Sequence, residues 1–173
     1  EKALAVLIEK VTKIPMPPAL VVLGMITRNP EASGRCLQNS AVVLEFKKSR
    51  YEVVFTQAKR LLPTYDVFDE GRYFEPGKTS KIFTHALGKI GLSVCEDAWF
   101  ETENAIYQKD PADDLNGCDL VINISASPFE ANKFERRREM LSGFAKKVGA
   151  PLVYVNQVGA NDEILFDGLS LVL

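Results

Sequence analysis

The apolar run Gly88-Lys-Ile-Gly-Leu-Ser-Val94 leads directly into Cys95-Glu96-Asp97, so a thiol stands where a strand should end. Sulfur attacks carbon as the thiolate, and a free thiol with a pKa of ~8.5 is only a few per cent ionised at neutral pH. The two neighbouring carboxylates would oppose ionisation if they faced the sulfur, so a cation has to compensate. Lys59 is the candidate, placed where a strand over 51–57 gives way to an aromatic-rich stretch. Thiol and ammonium together suit covalent attack on a carbonyl or nitrile carbon, with the ammonium stabilising the oxyanion. The alternatives are plain: Cys95 as a small hydrophobe closing a core strand, and Lys59 with Arg60 as surface charges.

The composition fits an ordinary soluble domain and narrows the chemistry. The 173 residues suffice for one core, with 46% hydrophobic and 25% charged residues. A net charge of -2 gives no electrostatic reason to bind nucleic acid. The cluster Lys133, Arg136, Arg137, Arg138 is interleaved with Glu135 and Glu139 and reads as a solvated helix face. Cys36, Cys95 and Cys118 lack metal-ligand spacing, and their odd number argues against a disulfide framework, which points to a reducing, cytoplasmic compartment. Cys36 and Cys118 read as buried or half-buried thiols. The single histidine, His85, lies in an alternating strand and reads as a packed or hydrogen-bonded residue, so no metal site is expected. No segment reaches the ~18 apolar residues of a membrane span, and no membrane partner is expected.

Periodicity supplies the elements. Leu4, Leu7, Ile8 and Val11 predict a helix over 1–13, ended by Pro15, Pro17 and Pro18. The run 19–26 predicts a strand buried on both faces, and 40–46 with 51–57 a hairpin around residues 47–50. Residues 59–80 predict a long irregular loop whose Phe68, Tyr73 and Phe74 pack over a cleft. Strands follow at 81–86, 89–95, 119–124 and 152–156. A helix at 130–148 presents Phe134, Leu141, Phe144, Ala145 and Val148 to the core, and a turn at 166–168 precedes a last strand. Helices alternating with strands apolar on both faces predict an α/β fold with helices outside the sheets. Small and polar residues collect where the strands end: Cys95-Glu-Asp97, Ser125-Ala-Ser-Pro-Phe129 and Asn156-Gln157. That end of an α/β sheet is where ligands bind.

Five ordered segments carry a resemblance. They are Arg28-Asn-Pro with Asn39-Ser-Ala41, Lys59 through Phe74, Cys95-Glu-Asp-Ala-Trp99, Ile124-Ser-Ala-Ser-Pro-Phe129, and Tyr154-Val-Asn-Gln-Val-Gly-Ala-Asn-Asp-Glu-Ile-Leu-Phe-Asp-Gly168. From about residue 19 onward the chain resembles the nitrilase (carbon–nitrogen hydrolase) superfamily, and within it the glutamine amidotransferase domain of glutamine-dependent NAD synthetases. The resemblance implies a nitrilase-like α-β-β-α sandwich, incomplete at both ends. It also implies amide hydrolysis through a thioester, with Cys95 as nucleophile, Lys59 as the triad lysine and the Glu96 N–H as a further oxyanion donor. Glutamine recognition falls to Tyr65, Glu96, Ser127 and Lys133; a zwitterion calls for both signs of charge. No cofactor is implied for this domain, and ATP with Mg²⁺ belongs to a synthetase domain of the same polypeptide that uses the ammonia. Pairing of subunits into a homo-oligomer is implied as well.

The departures carry expectations too. The triad's glutamate base belongs ahead of the first helix, and Glu1 does not match it. The chain is therefore expected to be part of a longer protein and, alone, not to turn over glutamine. Glu45, Glu52, Glu70 and Glu96 are the alternative bases if it does. Asn132 stands where the family has a glycine, and Ala160 alters the 158–161 turn. Two other readings are a free-standing hydrolase of a small amide and a catalytically inactive structural fragment. Trp99 reads equally as pocket wall or core.

Overall fold

Two β-sheets face each other, with a helix outside each, in the computed structural model, which describes residues 2–100 and 107–173. In chain order, helix α1 (Lys2–Thr12) precedes strands β1 (Leu20–Arg28), β2 (Leu37–Lys47) and β3 (Arg50–Ala58). A single helical turn, α2 (Glu70–Tyr73), then leads to β4 (Ile82–His85) and β5 (Gly88–Val94). Strand β6 (Leu120–Ser125), helix α3 (Lys133–Val148) and strand β7 (Leu152–Asn156) follow. The chain closes with β8 (Val158–Asn161), β9 (Ile164–Asp167) and β10 (Leu171–Val172). The first sheet is antiparallel, β1-β2-β3, and the second runs β10-β7-β6-β5-β4 with β5, β6 and β7 parallel. This layering is that of a nitrilase-like sandwich.

The sequence dictates the packing through alternation. Ala41 and Val43 of β2 meet Ile90, Leu92 and Val94 of β5, with Ile122 and Ile124 of β6, between the sheets. Val121, Leu152 and Tyr154 point the other way and meet Leu141, Phe144 and Val148 of α3. Strands β5 to β7 can be apolar on both faces because both faces are covered. The β2–β3 hairpin turns at Lys48 and Ser49, whose φ values of 48° and 65° give the left-handed pair that matches strand twist. Helix α3 stops at Gly149, φ 74°, whose N–H donates to the Ala145 carbonyl at 2.9 Å. Among the described residues no helix is long and apolar enough to cross a membrane.

Several expectations are corrected. Strand β1 is an edge strand with no fully buried residue, because an apolar run does not say how many neighbours a strand will have. Helix α3 starts at Lys133 rather than 130, since Asn132 takes φ 66° just before it. That left-handed backbone accounts for the departure from glycine, because asparagine is among the few residues that visit it readily. Phe134 is 38% exposed and does not join the core, and Tyr73 is exposed rather than packed over a cleft. Cys36 is exposed, whereas Cys118 is buried. Residues 158–167 form an antiparallel hairpin, not only a turn. Glu1 lies outside the described residues. His85 is hydrogen-bonded as read, accepting the Leu87 N–H at 3.2 Å, with Nε2 3.4 Å from Glu45 of the other sheet.

The largest correction is Arg137, read as part of a solvated face and found fully buried. Its guanidinium spans both oxygens of Asp167 at 3.1–3.3 Å and lies over the Tyr154 ring. Asn156 donates to the same Asp167 at 3.2 Å and to the Gly168 carbonyl at 2.9 Å, so α3, β7 and β9 meet on one polar knot. Arg137→Met should destabilise the protein by about 3–5 kcal/mol, because it strands the largely buried Asp167 carboxylate. Urea unfolding of the variant measures this, and a loss below ~1 kcal/mol would mean the pair contributes little.

Candidate active site

Cys95 opens a tight 3₁₀ turn, Cys95–Ala98, at the carboxyl end of β5. Its φ is 45°, a left-handed conformation that costs a non-glycine residue roughly 1–2 kcal/mol and persists only where the surroundings enforce it. The thiol is half-buried. Strand β5 thus delivers the sulfur to the rim of the sheet, beside the ends of β6 and β7.

Lys59 follows directly on β3 and is only 1% exposed, so the surface-charge reading fails. Its backbone is pinned, with the N–H donating to the Asn39 carbonyl and the carbonyl accepting the Gly77 N–H, each at 2.8 Å. The ammonium donates to Glu70 Oε1 at 2.6 Å, and Asn39 Nδ2 donates to Glu70 Oε2 at 3.2 Å. Helix α2 carries that carboxylate in its first turn. Lys59, Glu70, Asn39 and Cys95 line one cavity of about 280 Å³ between the sheets' ends. Burial opposes the lysine's charge, but the facing Cys95 (as thiolate) and Glu70 outweigh it and hold the ammonium above its usual pKa. The cation that a thiolate at Cys95 would need thus lines the same cavity.

A second, smaller cleft adjoins Cys95, lined by Tyr65, Glu96, Trp99, Ser127 and Lys133. It brings together all four residues that the resemblance assigned to glutamine. The Tyr65 hydroxyl donates to Glu96 Oε1 at 2.5 Å and the Tyr107 hydroxyl to the same atom at 3.1 Å. Burial, then Glu96, pushes the Tyr107 phenol far above its ordinary range, so it stays a donor. The Ser127 N–H donates to Asn156 Oδ1 at 2.8 Å. Lys133 opens α3 with its ammonium 3.7 Å from Glu130 and 5.7 Å from the centre of the Trp99 ring. Trp99 is both wall and core: it is buried, and it lines the cleft. The cleft thus offers a carboxylate and a cation on opposite elements.

Asp97 is buried below the turn, and its carboxyl is pushed up to about 6 by burial, against the Leu61, Val94 and Arg60 N–H groups and Lys59, which favour the ionised form. The Arg60 side chain is likewise not a surface charge, since it pairs with Asp114 at 2.8 Å. Sequence reasoning missed Asn39 and Tyr107 and gave Glu70 only as an alternative base. Asn39 and Glu70 lie in the segments 39–41 and 59–74 already singled out, whereas Tyr107 lies in none of them. Among the described residues no three His, Cys, Asp or Glu side chains cluster as a metal site.

The comparisons with known proteins bear on this geometry. The family model described as carbon-nitrogen hydrolase matches residues 18–173. A Synechocystis protein named glutamine-dependent NAD(+) synthetase is 41% identical over 167 residues, which cover 91% of this chain and 29% of that protein. The solved glutamine-dependent NAD+ synthetase of Acinetobacter baumannii aligns with a TM-score of 0.74 and 31% identity over 99% of this chain and 30% of its own. A carbon-nitrogen hydrolase of Helicobacter pylori gives a TM-score of 0.67 at 27% identity, over 89% of this chain and 54% of that one. The chain spans less than a third of the synthetases it matches. With the family model covering all but its first residues, the chain belongs to the carbon–nitrogen hydrolase family.

Proposed function

We propose that the chain is the glutamine amidohydrolase part of a glutamine-dependent NAD synthetase, acting through a thioester at Cys95. The observation that carries this reading is the buried Lys59–Glu70 pair lining one cavity with the left-handed Cys95 turn. The Cys95 thiolate attacks the side-chain carboxamide carbon, and the Lys59 ammonium and the Glu96 N–H stabilise the oxyanion. The C–N bond then breaks, the leaving nitrogen takes a proton and departs as ammonia, and a glutamyl thioester remains. Water adds to the thioester and releases glutamate and the thiol. Both Glu70 oxygens are engaged, by Lys59 and Asn39, so Glu70 orients the ammonium. The thiol's proton goes instead to the glutamate that the family places ahead of the first helix.

Substrate choice follows from the second cleft. Glu96 suits the α-ammonium of glutamine, Lys133 its α-carboxylate, with Tyr65 and Ser127 on the walls. That pairing of signs favours an amino-acid amide over the small uncharged amide of a free-standing hydrolase. The ammonia would serve ATP- and Mg²⁺-dependent amidation of nicotinic acid adenine dinucleotide on a synthetase domain of the same polypeptide, in a cytoplasmic homo-oligomer. The names of the relatives support the synthetase in this reading.

A diazoketone analogue of glutamine tests the assignment, because its reactive carbon sits where the carboxamide would and alkylates the bound sulfur with loss of N₂. Peptide mapping should find label on Cys95 at least tenfold above Cys36, although Cys36 is the more exposed thiol. Added glutamine should protect Cys95. Equal labelling of Cys36 and Cys95, insensitive to glutamine, would overturn the reading.

A further inference from the structure

We infer that Asp97 is a positioning residue, which fixes the Cys95 sulfur against the Lys59 ammonium by holding both backbone segments on one carboxylate. Its Oδ1 accepts the N–H groups of Arg60 and Leu61, each at 2.9 Å, and its Oδ2 accepts the Val94 N–H at 3.1 Å. Arg60 and Leu61 follow Lys59 directly, and Val94 precedes Cys95. The carboxylate thus clamps the strand end that carries the lysine to the turn that carries the cysteine, across 36 and 37 residues of chain. It also braces the unfavourable Cys95 backbone from within its own turn.

Asp97 is 1% exposed and lines neither cleft, so it does not touch a molecule bound in either one. Three backbone donors converge on it, and no other side chain of its size can accept all three. An asparagine keeps the shape, but its amide nitrogen must face either the Val94 N–H or the Arg60 and Leu61 pair, donor against donor. A glutamate keeps the charge but pushes the two segments apart by a methylene. Misplacement of reacting groups by about 1 Å costs on the order of 10²-fold in rate.

The inference rests on Cys95 as nucleophile, and the test separates the two ideas. Alkylation of the folded protein by iodoacetamide is followed at Cys95 across pH 5–9, with exposed Cys36 as internal reference, beside glutaminase kinetics of the whole polypeptide. Asp97→Asn, shown folded by circular dichroism, should lose about 10²-fold in kcat with KM within about threefold. The pH midpoint of Cys95 alkylation should move while Cys36 is unchanged. Asp97→Glu should behave alike if position matters, and should recover near-normal reactivity if only the charge matters. A carboxylate that merely stabilises the fold would lower the melting temperature yet leave the Cys95 pH midpoint and kcat of the folded protein intact, which overturns the inference. Should Asp97→Asn fail to fold, Asp97→Glu alone decides by the same readouts, near-normal kcat and pH midpoint again overturning it. Failure of the unaltered protein to take the glutamine analogue at Cys95 would instead sink the functional reading.

Discussion

Cys95→Ser should remove glutamine hydrolysis, with kcat in the whole polypeptide falling on the order of 10⁶-fold, the scale seen when a covalent nucleophile is deleted. A hydroxyl fits the space of the thiol, and the left-handed turn that presents it is held by bonds that do not involve the sulfur. Stability should therefore change little. The hydroxyl is far weaker as a nucleophile, because an alkoxide is much harder to form than the thiolate that Lys59 would balance. Ammonia release under saturating glutamine measures the loss, and unfolding midpoints verify the fold. Activity retained within a hundredfold would place the chemistry elsewhere.

Lys59→Met is the second large effect, an expected ~10²–10³-fold fall in kcat with KM altered much less. Methionine keeps the stem and the packing of a side chain 1% exposed, so the change isolates the charge. Two things are lost together: the cation facing the oxyanion, and the partner that fixes Glu70 at 2.6 Å. Lys59→Arg should not rescue, because a planar fork is too broad for a slot built around one ammonium and anchored by Asn39 and Glu70. A variant turning over at near the normal rate would reduce Lys59 to a buried structural cation. Steady-state kinetics of both variants supply the comparison.

What the sequence made legible was local. Alternation located β2, β3, β5, β6 and β7 within a few residues, and their shared ends pointed to one rim. The strand-end thiol and the lysine after β3 were the residues whose types suggested chemistry, and the structure brings both to one cavity. What stayed hidden depended on partners far away in the chain. Arg137 looks solvated among its charged neighbours until Asp167, 30 residues on, arrives beside it. Glu70 sits in an irregular stretch where no periodicity marks a one-turn helix. Strand β1 reads as a buried strand because hydrophobicity reports what a residue prefers, not whether a neighbouring strand lies beside it. Asn132 looks like an anomaly until its φ of 66° turns it into a near-equivalent of glycine.

The bonds around Cys95 bridge long stretches of chain: 37 residues from Arg60 to Asp97, 31 from Tyr65 to Glu96, 29 from Ser127 to Asn156. Closing such loops costs chain entropy before any contact repays it, so contacts of this kind form late in folding. A nascent or partly folded chain then carries an ordinary, sluggish thiol with no cation beside it. The reactivity proposed for Cys95 is then a property of the finished native state, and a local opening that lifts residues 59–75 away would silence the sulfur well before the sandwich melts.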